Sequence, residues 1–256
     1  MTARIIATIL VNRAGAMVKG KRFMSDRVVG VPVQAARVYA SVRELDEICL
    51  LFVDVTADGV GPDLGIVAAV AKECFVPLTI GGGIHSVDTA AQLIACGADK
   101  VVLGTAAFQN PPIITDIAAR FGSQAVVVSV DARSSIQTEA KVILHSGKLP
   151  TFISAHAFAA EVVNRGAGEI LLQSVDQDGT LSGYDVGLLK QVRPHVDVPI
   201  ILSGGCSGAS DMAVALREGA DAVAAGALWS FRDATPNQVK RELAKAGFAV
   251  RLQEAA

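Results

Sequence analysis

The chain has 256 residues, a formal net charge of −2, 51% hydrophobic residues and 5% aromatic ones. That near-neutral balance excludes a basic nucleic-acid surface and an electrostatic membrane anchor, and no apolar run reaches the roughly 18 residues of a membrane span. The length suits one (β/α)8 barrel of about 250 residues, and the wealth of Val, Ile, Ala and Gly fits parallel strands covered on both faces.

RIIATILV opens a series of eight apolar segments: 4–11, 48–54, 76–80, 100–103, 125–130, 169–173, 199–202 and 222–225. Between them lie helical patterns such as DLGIVAAVAKEC, SVDTAAQLIACG and ASDMAVALREG, with apolar residues at i, i+3, i+4 and glycine at the stop. Eight strand–helix alternations without a linker predict an α/β protein, a single (β/α)8 TIM barrel over residues 1–256. Residues 81–106 match residues 203–228 at a constant offset of 122, and VDVT (53–56) falls on VDQD (175–178), so the barrel reads as two similar halves. No signal peptide is expected. Cys49, Cys74, Cys96 and Cys206 share no CxxC spacing and read as buried thiols of a reduced, cytoplasmic protein.

Each half carries two glycine-rich turns after a strand, IGGGI with VLGTA and LSGGC with AAGAL. Glycine lets backbone N–H groups approach a phosphate closely, so two such pairs point to a ligand with a phosphate at each end. Tight turns with nothing bound are the alternative. Asp54, Asp131, Asp176 and Asp178 stand at or just beyond strand ends, where a barrel places its chemistry; Asp131, flush with an apolar run, is the best candidate for proton transfer. Capping is the competing role for Asp54 and Asp176. His85 reads as a loop residue, and His145, His156 and His195 receive no role. No His, Cys or carboxylate cluster has metal-ligand spacing, and no cofactor is expected.

With RIIA, VKG, GGGIH, GADKV, the FGSQAVVV run, the DGT loop and ADAVAAG, essentially the whole chain resembles the HisF family. These are the cyclase subunits of imidazole glycerol phosphate synthase. The resemblance implies a barrel that receives ammonia from a glutaminase (HisH-type) partner through its interior. There the ammonia reacts with a bisphosphorylated ribulosyl carboxamide, giving imidazole glycerol phosphate for histidine biosynthesis. It implies catalytic roles for Asp131, Asp178 and Lys19, the last on a mobile first loop. Gly82, Gly83 and Thr105 match one phosphate site, while Gly179, Thr180, Gly204, Gly205 and Gly226 match the DGT loop and the other. Arg4, Glu47, Lys100 and Glu169 match an ammonia gate. The implied partners are thus a glutaminase and a small phosphorylated substrate, with neither nucleic acid nor membrane.

Four departures stand beside the resemblance. Gly104 and Ala227 replace the family's usual Asn and Ser, and the stretch ELDEICLLFVD runs about two residues long before Asp54. The fourth is chemical: the family's first-strand aspartate falls on Leu10, and no acid precedes Asp26. Losing a positioned acid or base typically costs about 10²–10⁴-fold. This pattern is similar to the HisF-type paralogues of surface-polysaccharide clusters, whose barrel delivers ammonia for amidation of a sugar. Three functions follow: a HisF-type synthase subunit, an ammonia-channelling interaction subunit with little chemistry of its own, and an Amadori isomerase of the sister family. The isomerase needs both acids and has no use for gate charges.

Overall fold

A computed structural model describes residues 2–41, 44–55, 59–135 and 138–252. Strand β1 (Arg4–Val11) leads into an antiparallel hairpin, β2 (Met17–Lys21) and β3 (Met24–Gly30), and then helix α1 (Pro32–Ser41). There follow β4 (Glu47–Phe52) with α2 (Leu64–Glu73), β5 (Leu78–Gly81) with α3 (Val87–Ala95), and β6 (Lys100–Leu103) with α4 (Thr105–Gln109) and α5 (Pro112–Phe121). The second half opens on β7 (Val126–Ser135), which continues into the antiparallel strands β8 (Thr138–Leu144) and β9 (Leu149–Ser154) before α6 (Ala155–Asn164). It closes with β10 (Glu169–Ser174), α7 (Val186–Val192), β11 (Ile200–Ser203), α8 (Ala209–Arg217), β12 (Ala222–Ala225), α9 (Ala227–Phe231) and α10 (Pro236–Lys245).

Eight of these strands run parallel in the order β10-β11-β12-β1-β4-β5-β6-β7, and β7 pairs β10 to close the circle. The fold is a (β/α)8 barrel. Strand residues alternate between two apolar cores. Ile5, Ile9, Ile48, Leu50 and Ile80 face outward, in the cluster that includes the buried faces of the helices. Ile6, Cys49, Val102, Val127, Leu171 and Ile201 form a separate cluster inside the barrel. No described helix is long and apolar enough to cross a membrane.

The internal repeat has a structural cause at its GAD motif. Asp99 accepts the backbone N–H of Leu78 at 2.8 Å, and Asp221, its mate 122 residues on, accepts that of Ile200 at 2.9 Å. Both aspartates satisfy a donor at the start of the neighbouring strand, where the ladder has not yet begun. The glycines repeat as well: Gly82 and Gly204 have φ of 95° and 97°, Gly97 and Gly219 of 109° and 104°.

Three sequence expectations are amended. The first loop, which carries Lys19, is folded as a hairpin: β2 folds back on β1 with Leu10 opposite Val18, and β3 pairs β2. The hairpin β8–β9 is also new, extending the sheet beyond the barrel wall. Of the four thiols, Cys49 and Cys206 are buried, while Cys74 and Cys96 are only partly so.

Candidate active site

Arg4, Glu47, Lys100 and Glu169 are the first residues of β1, β4, β6 and β10, so they meet at the N-terminal end of the barrel. Arg4 bonds Glu47 at 2.9 Å and also Glu169; Lys100 reaches Glu47 at 2.9 Å and Glu169 at 2.8 Å. Each cation therefore bridges both carboxylates in a closed, neutral ring. Thr79 completes it by donating to Glu47 at 2.6 Å. Burial opposes the charge on Arg4 and Lys100, but the two glutamates outweigh it and hold both cations above their ordinary pKa. Glu47, the residue that the long stretch before Asp54 clouded in the sequence, stands in the ring with contacts to Arg4, Lys100 and Thr79.

Above the ring lies the inner apolar collar of Ile6, Cys49, Val102, Val127, Leu171 and Ile201, with Ala222 and Ala224 as its smallest members. Burial pushes the Cys49 thiol well above its ordinary pKa and leaves it inert. The next inward positions are polar. Ser129 donates to Asp131 Oδ1 at 2.5 Å, Gln173 Nε2 donates to the same oxygen at 3.1 Å, and Ser203 donates to Gln173 Oε1 at 3.2 Å. Ser129 and Gln173 escaped the sequence reading, yet their signal was there: 127, 129, 131 and 169, 171, 173 share the inward alternation of their strands.

This belt opens into a cavity of about 200 Å³ at the C-terminal strand ends, lined by Leu10, Lys19, Asp131 and Asp178 among others. Burial raises the Asp131 pKa, the bonds from Ser129 and Gln173 offset part of that, and the charge of Asp178 adds to it. Asp178 is likewise raised by burial, against the Phe23 N–H and Lys19. Lys19 is 3% exposed, donates to the Thr8 carbonyl oxygen at 2.9 Å and is lowered by burial to about 8, with Asp178 partly offsetting. The hairpin carrying Lys19 is latched across the mouth, because Arg22 N–H donates to the Asp178 carbonyl at 2.9 Å and Phe23 N–H to its carboxylate at 3.3 Å. Leu10 gives this rim an alkyl wall.

The glycine turns flank the cavity as two ends. Gly81 neighbours Val102 across β5 and β6, so Gly82, Gly83, Gly104 and Thr105 share one end. Ser203 neighbours Ala224 across β11 and β12, so Gly204, Gly205 and Gly226 share the other, with Gly179 on the adjoining loop. A side chain at Gly205, whose φ is 98°, would overlap the carbonyl of Gly183, so that glycine is required by chain packing whatever binds. Thr105 Oγ1 accepts the His145 N–H at 3.0 Å, which brings His145, given no role from sequence, to the first end.

Several expected site residues lie elsewhere. Thr180 does not line the cavity; its hydroxyl donates to the Gln177 carbonyl at 2.7 Å, closing its own turn. Asp54, at φ 66°, turns out to solvent after β4 has ended at Phe52. Asp176 pairs with Arg133 at 3.1 Å on the surface. His85 lines the cavity but its Nδ1 stands 2.9 Å from the Gly83 carbonyl, a loop contact. Among the described residues, no three His, Cys, Asp or Glu side chains could hold a metal together.

Residues 4–234 match the family model described as "Histidine biosynthesis protein". The chain is 43% identical to the imidazole glycerol phosphate synthase subunit HisF of Beutenbergia cavernae over 93% of its own length and 94% of that protein. It is 42% identical to the subunit of the same name from Hyphomonas neptunium, over 98% and 99%. Against that of Thermotoga sp. strain RQ2 it is 44% identical over 99% of both. The protein is a member of the histidine biosynthesis family and, within it, of the HisF family.

Proposed function

We propose that the protein is a HisF-type synthase subunit that receives ammonia from a glutaminase partner through the barrel and delivers it to a phosphorylated ligand at the mouth. The observation that carries this reading is coaxial: the ring of Arg4, Glu47, Lys100 and Glu169 closes one end of the same interior that Asp131 enters at the other. A route lined by Ile6, Val127 and Leu171 suits neutral ammonia, since an apolar collar offers ammonium no replacement for its hydration. Asp131, with its raised pKa, holds or releases a proton beside the arriving nitrogen, and the glycine turns anchor the phosphates. The partner docks on the ring face, and the reaction is of the imidazole glycerol phosphate synthase type.

Leu10 favours a second reading. With an alkyl group where the second acid belongs, the subunit channels ammonia onward for amidation of another acceptor and does little chemistry itself. Complementation of a histidine auxotroph lacking the cyclase subunit separates the two. Growth supports the synthase; no growth from a protein that still transfers nitrogen from glutamine with its partner supports the channel. Failure of glutamine-dependent transfer to any acceptor overturns both.

A further inference from the structure

Asp131, Gln173 and Ser203 stand in one layer of the barrel. Gln173 is in register with Asp131 across β10 and β7, and with Ser203 across β10 and β11. All three reach the cavity, as does Ser129, two residues before Asp131 on the same face of β7. The bonds to the carboxylate fall on one oxygen. Ser129 Oγ and Gln173 Nε2 both donate to Asp131 Oδ1, at 2.5 and 3.1 Å, and among the described residues no donor is placed on Oδ2. Gln173 Nε2 also donates to Ser129 Oγ at 3.2 Å, which turns the serine proton toward the carboxylate. At its other atom, Gln173 Oε1 accepts from Ser203 at 3.2 Å. A reversed amide would set Oε1 against the ionised Oδ1, oxygen to oxygen, so the carboxylate and Ser203 together enforce one orientation.

We propose that Gln173, held by Ser203, is a positioning residue that confines the titrating proton of Asp131 to Oδ2, the oxygen offered to the cavity. The inference rests on the reading of Asp131 as the proton carrier at the mouth and deepens it to a single atom. Oδ1 accepts two hydrogens in either state of the group, because in the neutral acid it is the carbonyl oxygen. Oδ2 alone gains and loses the proton, and no bond in the layer has to be remade when it does. Proton transfer at Oδ2 therefore needs no reorganisation around the carboxylate. The two donors also favour the ionised form, against the effect of burial.

NMR of the full chain carrying 13C-labelled aspartate carboxyls reads the Asp131 titration directly. Gln173→Met keeps the length of the side chain and removes the donor. It is expected to raise the Asp131 pKa by about one unit or more, the scale of a charged hydrogen bond. Ser203→Ala touches no atom of Asp131 and is expected to raise it by less, since the freed amide can turn. Infrared spectroscopy at a pH where Asp131 is neutral gives the second readout, with Asp131→Asn subtracted to isolate its band. The carbonyl stretch is expected at the low frequency of a doubly hydrogen-bonded C=O, rising in Gln173→Met. A titration that is unmoved or moved downward, or a stretch indifferent to Gln173, overturns the inference, even where the melting temperature falls as it would for a merely structural glutamine. If Gln173→Met does not fold, Ser203→Ala decides by the same two measurements. Neither needs nitrogen transfer, so a wild-type protein that transfers none overturns the proton-carrier reading and leaves the placement of Gln173 to be judged by itself.

Discussion

Lys19 Nζ occupies the space beside Gly226 that an alanine Cβ would need, 2.5 Å away. Gly226 has φ −124°, so alanine meets no backbone strain there and collides chiefly with the ammonium. Gly226→Ala is expected to push Nζ from the Thr8 carbonyl, at a stability cost of about 1 kcal/mol in thermal or urea melts. Phosphate binding at that end should weaken several-fold. Unaltered binding with the lysine displaced would remove Lys19 from the anion site.

The same lysine gives a signature in pH. Burial holds it at about 8 against an ordinary 10.5, so between those values the unfolded chain binds more protons than the folded one. Stability from this group therefore rises with pH across that window, by as much as about 3 kcal/mol. Below it both states carry the proton and the cost is constant. Lys19→Met should flatten the rise in urea-unfolding free energy relative to wild type, whereas parallel profiles would show an ordinary, solvated amine.

Asp131 has the opposite sign. Its folded pKa is raised, chiefly by burial, so its contribution is favourable below the unfolded value and is lost as pH rises through the folded one. Asp131→Asn keeps an oxygen for Ser129 and Gln173 to donate to. It should melt higher than wild type at neutral pH, with the gap closing as pH falls toward 4. A variant less stable at neutral pH would mean that the carboxylate is well solvated or paired.

Lys100→Ala leaves Glu47 and Glu169 with Arg4 alone. Removing one partner from a buried ion cluster costs about 3–5 kcal/mol, which a urea titration resolves. In the assembled enzyme, transfer of nitrogen from glutamine should change more than transfer from added ammonium salts, because only the former must pass the ring. Equal losses from both nitrogen sources would dismiss the ring as a gate.

On the channelling reading that Leu10 favours, wild-type protein is expected not to rescue a cyclase-deficient histidine auxotroph at ordinary expression. Leu10→Asp should recover only part of the missing activity, because the new carboxylate enters an apolar rim beside Leu51 with no donors arranged for it and a raised pKa. Full rescue by the unaltered protein would mean that another group, Lys19 or Asp178, serves as the second proton carrier.

The barrel was legible because its strands are buried on both faces, and runs such as IIATILV and VVVSV carry that in their composition. The hairpins were not. Strand β9 has Phe152 98% exposed beside a half-buried Thr151, and an edge strand of mixed polarity leaves no continuous apolar run. Among candidate site residues, Asp131 and the four ring charges stood out as charged side chains in apolar strands. Gln173 and Ser129 did not, since neutral polar residues there are commonplace until the neighbouring strand shows what they bind. Thr180, singled out for its DGT context, has its hydroxyl engaged within its own turn, a local bond that the motif alone does not reveal.

Strand β4 carries Glu47, Cys49 and Leu51 inward and Ile48, Leu50 and Phe52 outward. Against the family spacing it gains about two residues before Asp54, and two is the repeat of a pleated strand. An odd increment below Glu47 would have turned the glutamate into the helical layer and presented Ile48 to Arg4 and Lys100. An even one at the far end preserves parity, so the rim of the cavity can be rebuilt while the ring beneath it keeps its partners. Length changes in the inner wall of such a barrel are thus quantised, and a lineage can remodel the cavity end in steps of two without disturbing the charged ring.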